Sequence, residues 1–193
     1  RQMCIRDRFY TGLYHALLGR GLASDVNGAY PKHDGSIGQI PAGPDNKPQF
    51  NFYNTDDIWG GQWNLIQLWA LAYPEYLTDF VKTHLTVYQD AGWLGDGLAC
   101  SRYVSGVGTN QVPLAIAAAY QCGIRDFDIQ KGYEASLKNE IGSENRPFGA
   151  GKADVGKFVK SGYAHSLDTG AGPDERWKFP CTPPCEFSFN SLA

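Results

Sequence analysis

The sequence has no apolar run long enough to cross a bilayer and no block of basic residues. Its 17 lysines and arginines stand against 20 aspartates and glutamates, which gives a net charge of −3 at pH 7. The lack of a long apolar run argues against a transmembrane span. The lack of a basic block argues against nucleic acid or an anionic membrane surface as a binding partner.

The pattern of a zinc site is also missing. None of the five cysteines forms a CxxC pair, and no histidine lies close enough to a cysteine to suggest a shared metal. Cys181 and Cys185 enclose Thr-Pro-Pro, and they either form a disulfide in an oxidising compartment or remain thiols. We therefore assign no metal ligand to any residue of this chain.

Aromatic residues, in contrast, are abundant at 13% of the chain. Three of the five tryptophans fall in YNTDDIWGGQWNLIQLWALAYPE, where Asp56 and Asp57 come shortly before Trp59. Carboxylates accept hydrogen bonds from sugar hydroxyls and indole rings stack on the C–H faces of a pyranose, so these three residues are candidates for sugar binding. The alternative is a core helix with an aspartate-rich N-terminal cap.

Apolar periodicity predicts helices over residues 10–18, 60–72, 76–91, 109–121, 128–140 and 154–160. Helices 60–72 and 109–121 are apolar nearly all round, which is typical of inner helices, whereas 76–91 and 128–140 carry one apolar stripe. This alternation predicts an array of α/α hairpins. Turn signals within 22–53 predict an irregular insertion that contains one or two hairpins.

Two loops carry further candidates for binding. Asp96 is flanked by glycines, so its backbone can approach a ligand closely, although a plain Asp-Gly turn is the alternative. Trp93 lies in the same glycine-rich segment and either stacks on a sugar or packs as a core aromatic. Asp25 and Asn27 belong to an oxygen-rich loop that either binds sugar or orders a turn.

Several motifs follow one another in a defined order: FYTGLYHALL, SDVNGAY, DGSIG, the tryptophan-rich segment, YQDAGWLGDG, and AIAAAYQCGIRDFD with KGYEA. In order and spacing they resemble the catalytic domain of glycoside hydrolase family 92, the calcium-dependent, inverting exo-α-mannosidases, over residues 9–193. The resemblance implies a mainly α fold, a partial (α/α)6 toroid of antiparallel helix pairs with an irregular or hairpin insertion near residues 22–53. It implies a glycan substrate with terminal α-linked mannose or a related sugar, and Ca²⁺ as cofactor.

The resemblance also gives roles to the candidate residues. Asp25 and Asn27 match the family's Asp-Val-Asp-Gly positions, and Trp59 matches a tryptophan that the family follows with a sugar-binding aspartate. Gly60 follows the tryptophan in this chain, and the two preceding aspartates substitute for the missing carboxylate. The family's general acid is a glutamate after the YQDAGWL segment; no glutamate is present there, so Asp96 becomes the candidate acid.

The resemblance leaves other functions open. A non-catalytic carbohydrate-binding or scaffold protein on the same toroid is the main alternative, and another toroid enzyme, such as a lyase, is a weaker one. Residues 1–8 are interpreted as a non-native, adapter-derived segment. The family's N-terminal β-sandwich, later helices, general base and calcium ligands are expected outside this chain, which alone is expected to be inactive. The family implies a periplasmic or extracellular location.

Overall fold

The computed structural model describes residues 2–18, 21–55, 61, 63–104, 110–152 and 155–162. In this part of the chain, helices dominate and two small antiparallel hairpins accompany them. The elements are α1 (Gln2–Leu17), β1 (Ala29–Pro31), β2 (Ile37–Gln39), α2 (Leu65–Ala72), α3 (Pro74–Ala91), β3 (Leu98–Ala99), β4 (Arg102–Tyr103), α4 (Val112–Gln121), α5 (Ile129–Ile141) and α6 (Val155–Ser161). The mainly α fold that the sequence predicted is therefore confirmed.

Local chemistry fixes the ends of the central helices. Pro74 ends the preceding helix and occupies the first turn of α3, where its missing N–H costs no hydrogen bond. Gly92 ends α3 in the left-handed conformation, with φ of 84°, and its N–H donates to the carbonyl of Tyr88 at 2.7 Å. At the start of α5, the side chain of Asp128 accepts a hydrogen bond from the Lys131 N–H at 2.9 Å. The helix ends predicted at residues 72 and 91 and the start predicted at residue 128 therefore lie within about one residue of those in the structure.

The main core lies where α2, α3, α4 and α5 meet. The helix α2 packs on α3 and α4, and α3 also packs on α4 and α5. The buried residues come from the apolar stripes of all four helices, among them Ile66, Trp69, Leu77, Val81, Ala115, Ala119 and Ala135. No helix in the described ranges is long and apolar enough to cross a membrane.

Helix α3 is buried on two sides, although its sequence predicted one stripe and an outer position. The second side faces the insertion between α1 and α2, where Phe52 is completely buried and stacks on Tyr30 with ring centroids 4.7 Å apart. Val87 of α3 belongs to this second cluster. Thr83 accepts a hydrogen bond from the Tyr53 N–H at 3.3 Å. The polar Thr83 on this side hid the second contact surface from the apolar periodicity.

The insertion itself is a hairpin with irregular flanks, as the turn signals predicted. Strands β1 and β2 pair antiparallel with Tyr30 opposite Gly38. The turn between them is closed by Asp34, whose carboxylate accepts hydrogen bonds from both the N–H and the hydroxyl of Ser36. An isolated bridge between Leu22 and Tyr53 closes the insertion at its base, so the segment returns to the helices next to α2.

Helix α1 begins at Gln2 and therefore includes most of the segment that we interpreted as non-native. Its large apolar side chains are largely exposed, including Met3, Ile5, Phe9, Tyr10 and Tyr14. The interpretation of residues 1–8 stays a prediction.

Candidate functional site

The Asp96 segment runs between α3 and β3, and its backbone is hydrogen-bonded to residues 149–151. Asp96 is 1% exposed, and its N–H donates to the carbonyl of Gly149 at 2.8 Å. Gly95 forms a bridge with Ala150, and the Gly151 N–H donates to the carbonyl of Leu94 at 3.2 Å. The backbone that carries Asp96 is thus paired with the loop that follows α5.

A second bridge joins this segment to the acidic and aromatic segment that the sequence singled out. Thr55 pairs with Leu98 through two backbone hydrogen bonds of 2.9 and 2.8 Å, and the Leu98 N–H also donates to the Thr55 hydroxyl at 3.0 Å. Asp56 follows Thr55 directly in sequence, and Asp96 lies two residues before Leu98. The structure therefore places the described end of the first segment, at Thr55, against Leu98.

Three candidates of the first segment, Asp56, Asp57 and Trp59, lie outside the described residues. Their role in sugar binding, and the shared pocket with Asp96, stay predictions.

The hairpin of β3 and β4 packs against the Asp96 segment through Tyr103. Tyr103 donates its hydroxyl to the carbonyl of Trp93 at 2.8 Å, and burial raises the pKa of this hydroxyl above its ordinary value. A Cβ added at Gly95 would come within 2.7 Å of the Tyr103 ring, so only glycine permits this close approach. The hairpin turn has positive φ at Cys100 and Ser101, 48° and 62°, as a type I′ turn requires.

Trp93 is buried at 4% exposure and packs against α5 and the loop after it. The Lys138 ammonium lies 4.7 Å from the centroid of the indole ring, and it donates to the carbonyl of Gly92 at 2.7 Å. On the other side, a Cβ added at Gly151 would come within 3.0 Å of the ring. These contacts fit the packing interpretation of Trp93, and its sugar-stacking role stays a prediction.

Asp25 and Asn27 are exposed residues of a tight turn that leads into β1. The carbonyl of Asp25 accepts from the Gly28 N–H at 2.9 Å, and its N–H donates to the carbonyl of Ala29 at 2.8 Å. The Asn27 side chain accepts from the Ala29 N–H at 3.0 Å. Asn27 therefore orders the turn through an Asx-type bond, and the Asp25 carboxylate remains available for a ligand in the role that the resemblance assigned.

Sequence reasoning missed a polar cluster, buried except for Glu140, next to the Asp96 segment. It consists of Asn110, Asn139, Glu140 and Lys152, of which Asn139 is completely buried and Lys152 is 5% exposed. Asn110 donates to Glu140 at 2.6 Å, and the Lys152 ammonium pairs with the same carboxylate. The available signal was Asn139 itself, because it follows Ala135 by one helical turn on the buried face of α5.

Calcium was the cofactor that the resemblance implied. Within the described ranges, no three histidine, cysteine, aspartate or glutamate side chains lie close enough to hold a metal ion. The calcium that the resemblance implied stays a prediction.

Paired helices around a shared core define a piece of an α/α-toroid protein. A family model described as the glycosyl hydrolase family 92 catalytic domain matches residues 4–178. The chain belongs to this family. The match begins within the segment 1–8.

Solved structures support the fold. The family GH92 alpha-mannosidase BT3965 from Bacteroides thetaiotaomicron matches with a TM-score of 0.66 at 18% identity, over 78% of this chain and 19% of that one. The family GH92 inverting mannosidase BT2199 from Bacteroides thetaiotaomicron VPI-5482 matches with a TM-score of 0.62 at 19% identity, over 80% of this chain and 20% of that one. This chain spans about a fifth of their length. Comparison with curated proteins finds no match.

Proposed function

We propose that the protein containing this chain hydrolyses terminal α-linked mannose, or a related sugar, from glycans with inversion at the anomeric carbon. Membership of glycosyl hydrolase family 92 supports the reaction class. The observation that carries the site is the bridge between Thr55 and Leu98. It holds Thr55, the residue before Asp56, against Leu98, which lies two residues after Asp96. In this proposal the sugar-binding side chains and the proton donor act on one ligand.

In this proposal Asp96 is the general acid. Its carboxyl proton moves to the glycosidic oxygen as the bond to the anomeric carbon breaks, and the leaving group departs as an alcohol. A water attacks the anomeric carbon from the opposite face and gives its proton to a general base, which in inverting enzymes lies about 6.5–9.5 Å from the acid. Asp56, Asp57 and Trp59 bind the sugar through hydroxyl hydrogen bonds and ring stacking. The base is assigned to the part of the protein beyond this chain.

The burial of Asp96 places a condition on this role. At 1% exposure, its carboxyl meets a glycosidic oxygen only after the residues that cover it move aside.

Calcium dependence and a periplasmic or extracellular location belong to the same proposal and rest on family membership alone. Chelation of divalent metal from the intact protein, followed by assay with and without added Ca²⁺, tests the first.

The test of the acid role compares two substrates of the intact protein. For Asp96→Asn we expect kcat/KM on an α-linked mannose disaccharide to fall by about 100- to 10,000-fold, the range that general-acid catalysis supplies. A dinitrophenyl α-mannoside needs little protonation of its leaving group and should lose far less. Asp126→Asn is the matched control, because Asp126 is exposed and pairs with Lys82 on the outer surface.

Three results would contradict the proposal. Equal losses on the two substrates would remove Asp96 from the acid role. Mannoside binding without turnover by the wild-type protein would favour the non-catalytic carbohydrate-binding alternative. Turnover of neither substrate, without binding, would place the protein outside the mannosidases of its family.

A further inference from the structure

Asn139 is joined to both backbone segments that flank Asp96. Its amide nitrogen donates to the carbonyl of Leu94 at 2.8 Å, and its amide oxygen accepts from the Leu94 N–H at 3.1 Å. Its own backbone carbonyl accepts from the Lys152 N–H at 3.4 Å. Leu94 lies two residues before Asp96, and Lys152 lies three residues after Gly149, whose carbonyl receives the Asp96 N–H.

A carboxamide is the group that this position requires. Leu94 is completely buried, so its N–H and carbonyl need partners inside the protein. A single carboxamide offers a donor and an acceptor in the arrangement of a neighbouring peptide bond, and only asparagine and glutamine side chains provide it. Asn139 therefore bonds to Leu94 as a neighbouring strand residue would, and it shares the Leu94 carbonyl with the Gly151 N–H, which donates at 3.2 Å.

The second amide hydrogen of Asn139 extends the connection to α4. It is donated to the Asn110 side-chain oxygen at 2.9 Å, and Asn110 in turn donates to Glu140 at 2.6 Å. Glu140 pairs with Lys152. The amide oxygen and both amide hydrogens of Asn139 thus all have partners, and buried networks of this kind hold their members in one arrangement.

We propose that Asn139 is a positioning residue for the Asp96 carboxyl, an inference that rests on the proposed acid role. It fixes the Leu94–Asp96 backbone from the side of α5, while the loop that contains Gly149 fixes it from the other side. Asn139 does not touch the substrate. Its effect on the reaction comes from where it holds the proton donor, since a displacement of about 1 Å can cost about 100-fold in rate.

The decisive variant is Asn139→Asp in the intact protein. The introduced carboxylate removes both donors and places a charged oxygen against the Leu94 carbonyl and the Asn110 oxygen. We expect kcat/KM on the α-linked disaccharide to fall by about 100-fold, with a much smaller loss on the dinitrophenyl α-mannoside. When protonated, the new carboxyl can donate one hydrogen bond, so the ratio of variant to wild-type activity on the disaccharide should recover as the pH is lowered.

Ser136→Ala is the matched control. Ser136 lies one turn earlier on α5 and bonds within its own helix, to the carbonyl of Gly132 at 2.7 Å. Its substitution should change neither the ratio of kcat/KM on the two substrates nor the pH profile on the disaccharide. If Asn139→Asp does not fold, Asn110→Ala is the second variant, since it removes one partner of Asn139 and leaves both bonds to Leu94. We then expect kcat/KM to fall more on the disaccharide than on the dinitrophenyl α-mannoside, by less than in Asn139→Asp.

The outcomes separate this inference from the proposed function. Equal losses on both substrates, or a ratio of variant to wild-type activity on the disaccharide that does not respond to pH, would overturn the positioning role and leave Asn139 as a structural residue. An active wild type with unchanged Asn139 variants would overturn the inference alone. A wild type inactive on both substrates would overturn the proposed function, and this inference with it.

Discussion

The histidine of α3 should make the stability of this fold sensitive to mild acid. His84 is completely buried and packs at an angle against the Phe80 ring, with centroids 4.7 Å apart. Neither of its ring nitrogens has a hydrogen-bond partner within the described part of the chain. Because burial excludes water from the charged form, the pKa of His84 falls from 6.5 to about 3.

The sign of the effect follows from the proton count. Above pH 6.5 the imidazole is neutral in the folded and the unfolded chain, and it contributes no pH dependence. Below that pH the unfolded chain binds a proton that the folded chain excludes, so stability decreases. Relative to pH 8, we expect His84 to lower the free energy of unfolding by about 0.8 kcal/mol at pH 6 and about 2 kcal/mol at pH 5.

Urea unfolding between pH 8 and pH 5, followed by far-ultraviolet circular dichroism, measures this difference in the wild-type chain and in His84→Leu. Asp79 works in the opposite direction, since burial raises its pKa and lets the folded chain take up a proton, but it is present in both proteins and cancels. His15→Leu, at an exposed position of α1, is the control. Identical pH dependence of the wild type and His84→Leu would refute the reasoning.

Two further substitutions test the packing and capping described above. Gly38→Ala would drive a Cβ into the Tyr30 ring, and we expect a loss of about 1–3 kcal/mol in urea unfolding; Gly12→Ala, with open space around it, should not destabilise. Asp128→Ala should cost about 1 kcal/mol at neutral pH. The backbone hydrogen bond from Lys131 lowers the pKa of Asp128, so this contribution is present above its ordinary value of 3.8 and lost as the pH falls below it, which thermal unfolding at pH 7 and pH 2 would show.

The parts of the fold that sequence reasoning predicted are those set by nearby residues. Pro74, Gly92 and Asp128 mark helix ends through local backbone chemistry, and the structure has each boundary there. The turn before Ser36 likewise depends on residues within the turn. The family resemblance added the toroid, which no periodicity in this chain could establish.

The rest depended on contacts between distant segments. The hairpin of β3 and β4 turns at Cys100 and Ser101, neither of which is a usual residue for positive φ, so no turn signal announced it. The burial of Trp93 follows from Lys138 and Gly151, which are far away in sequence. Asn139 had one signal, a polar residue on the buried face of a helix, but its partners became visible only with the fold.

The stereochemistry of mannose release tests the central claim most directly. The intact protein is mixed with an α-mannoside, and proton nuclear magnetic resonance follows the anomer that forms first. Inverting hydrolysis predicts β-mannose as the initial product, followed by slow mutarotation to the equilibrium mixture. Initial release of α-mannose would contradict the inverting mechanism, and the absence of any mannose release would contradict the proposed α-mannosidase activity.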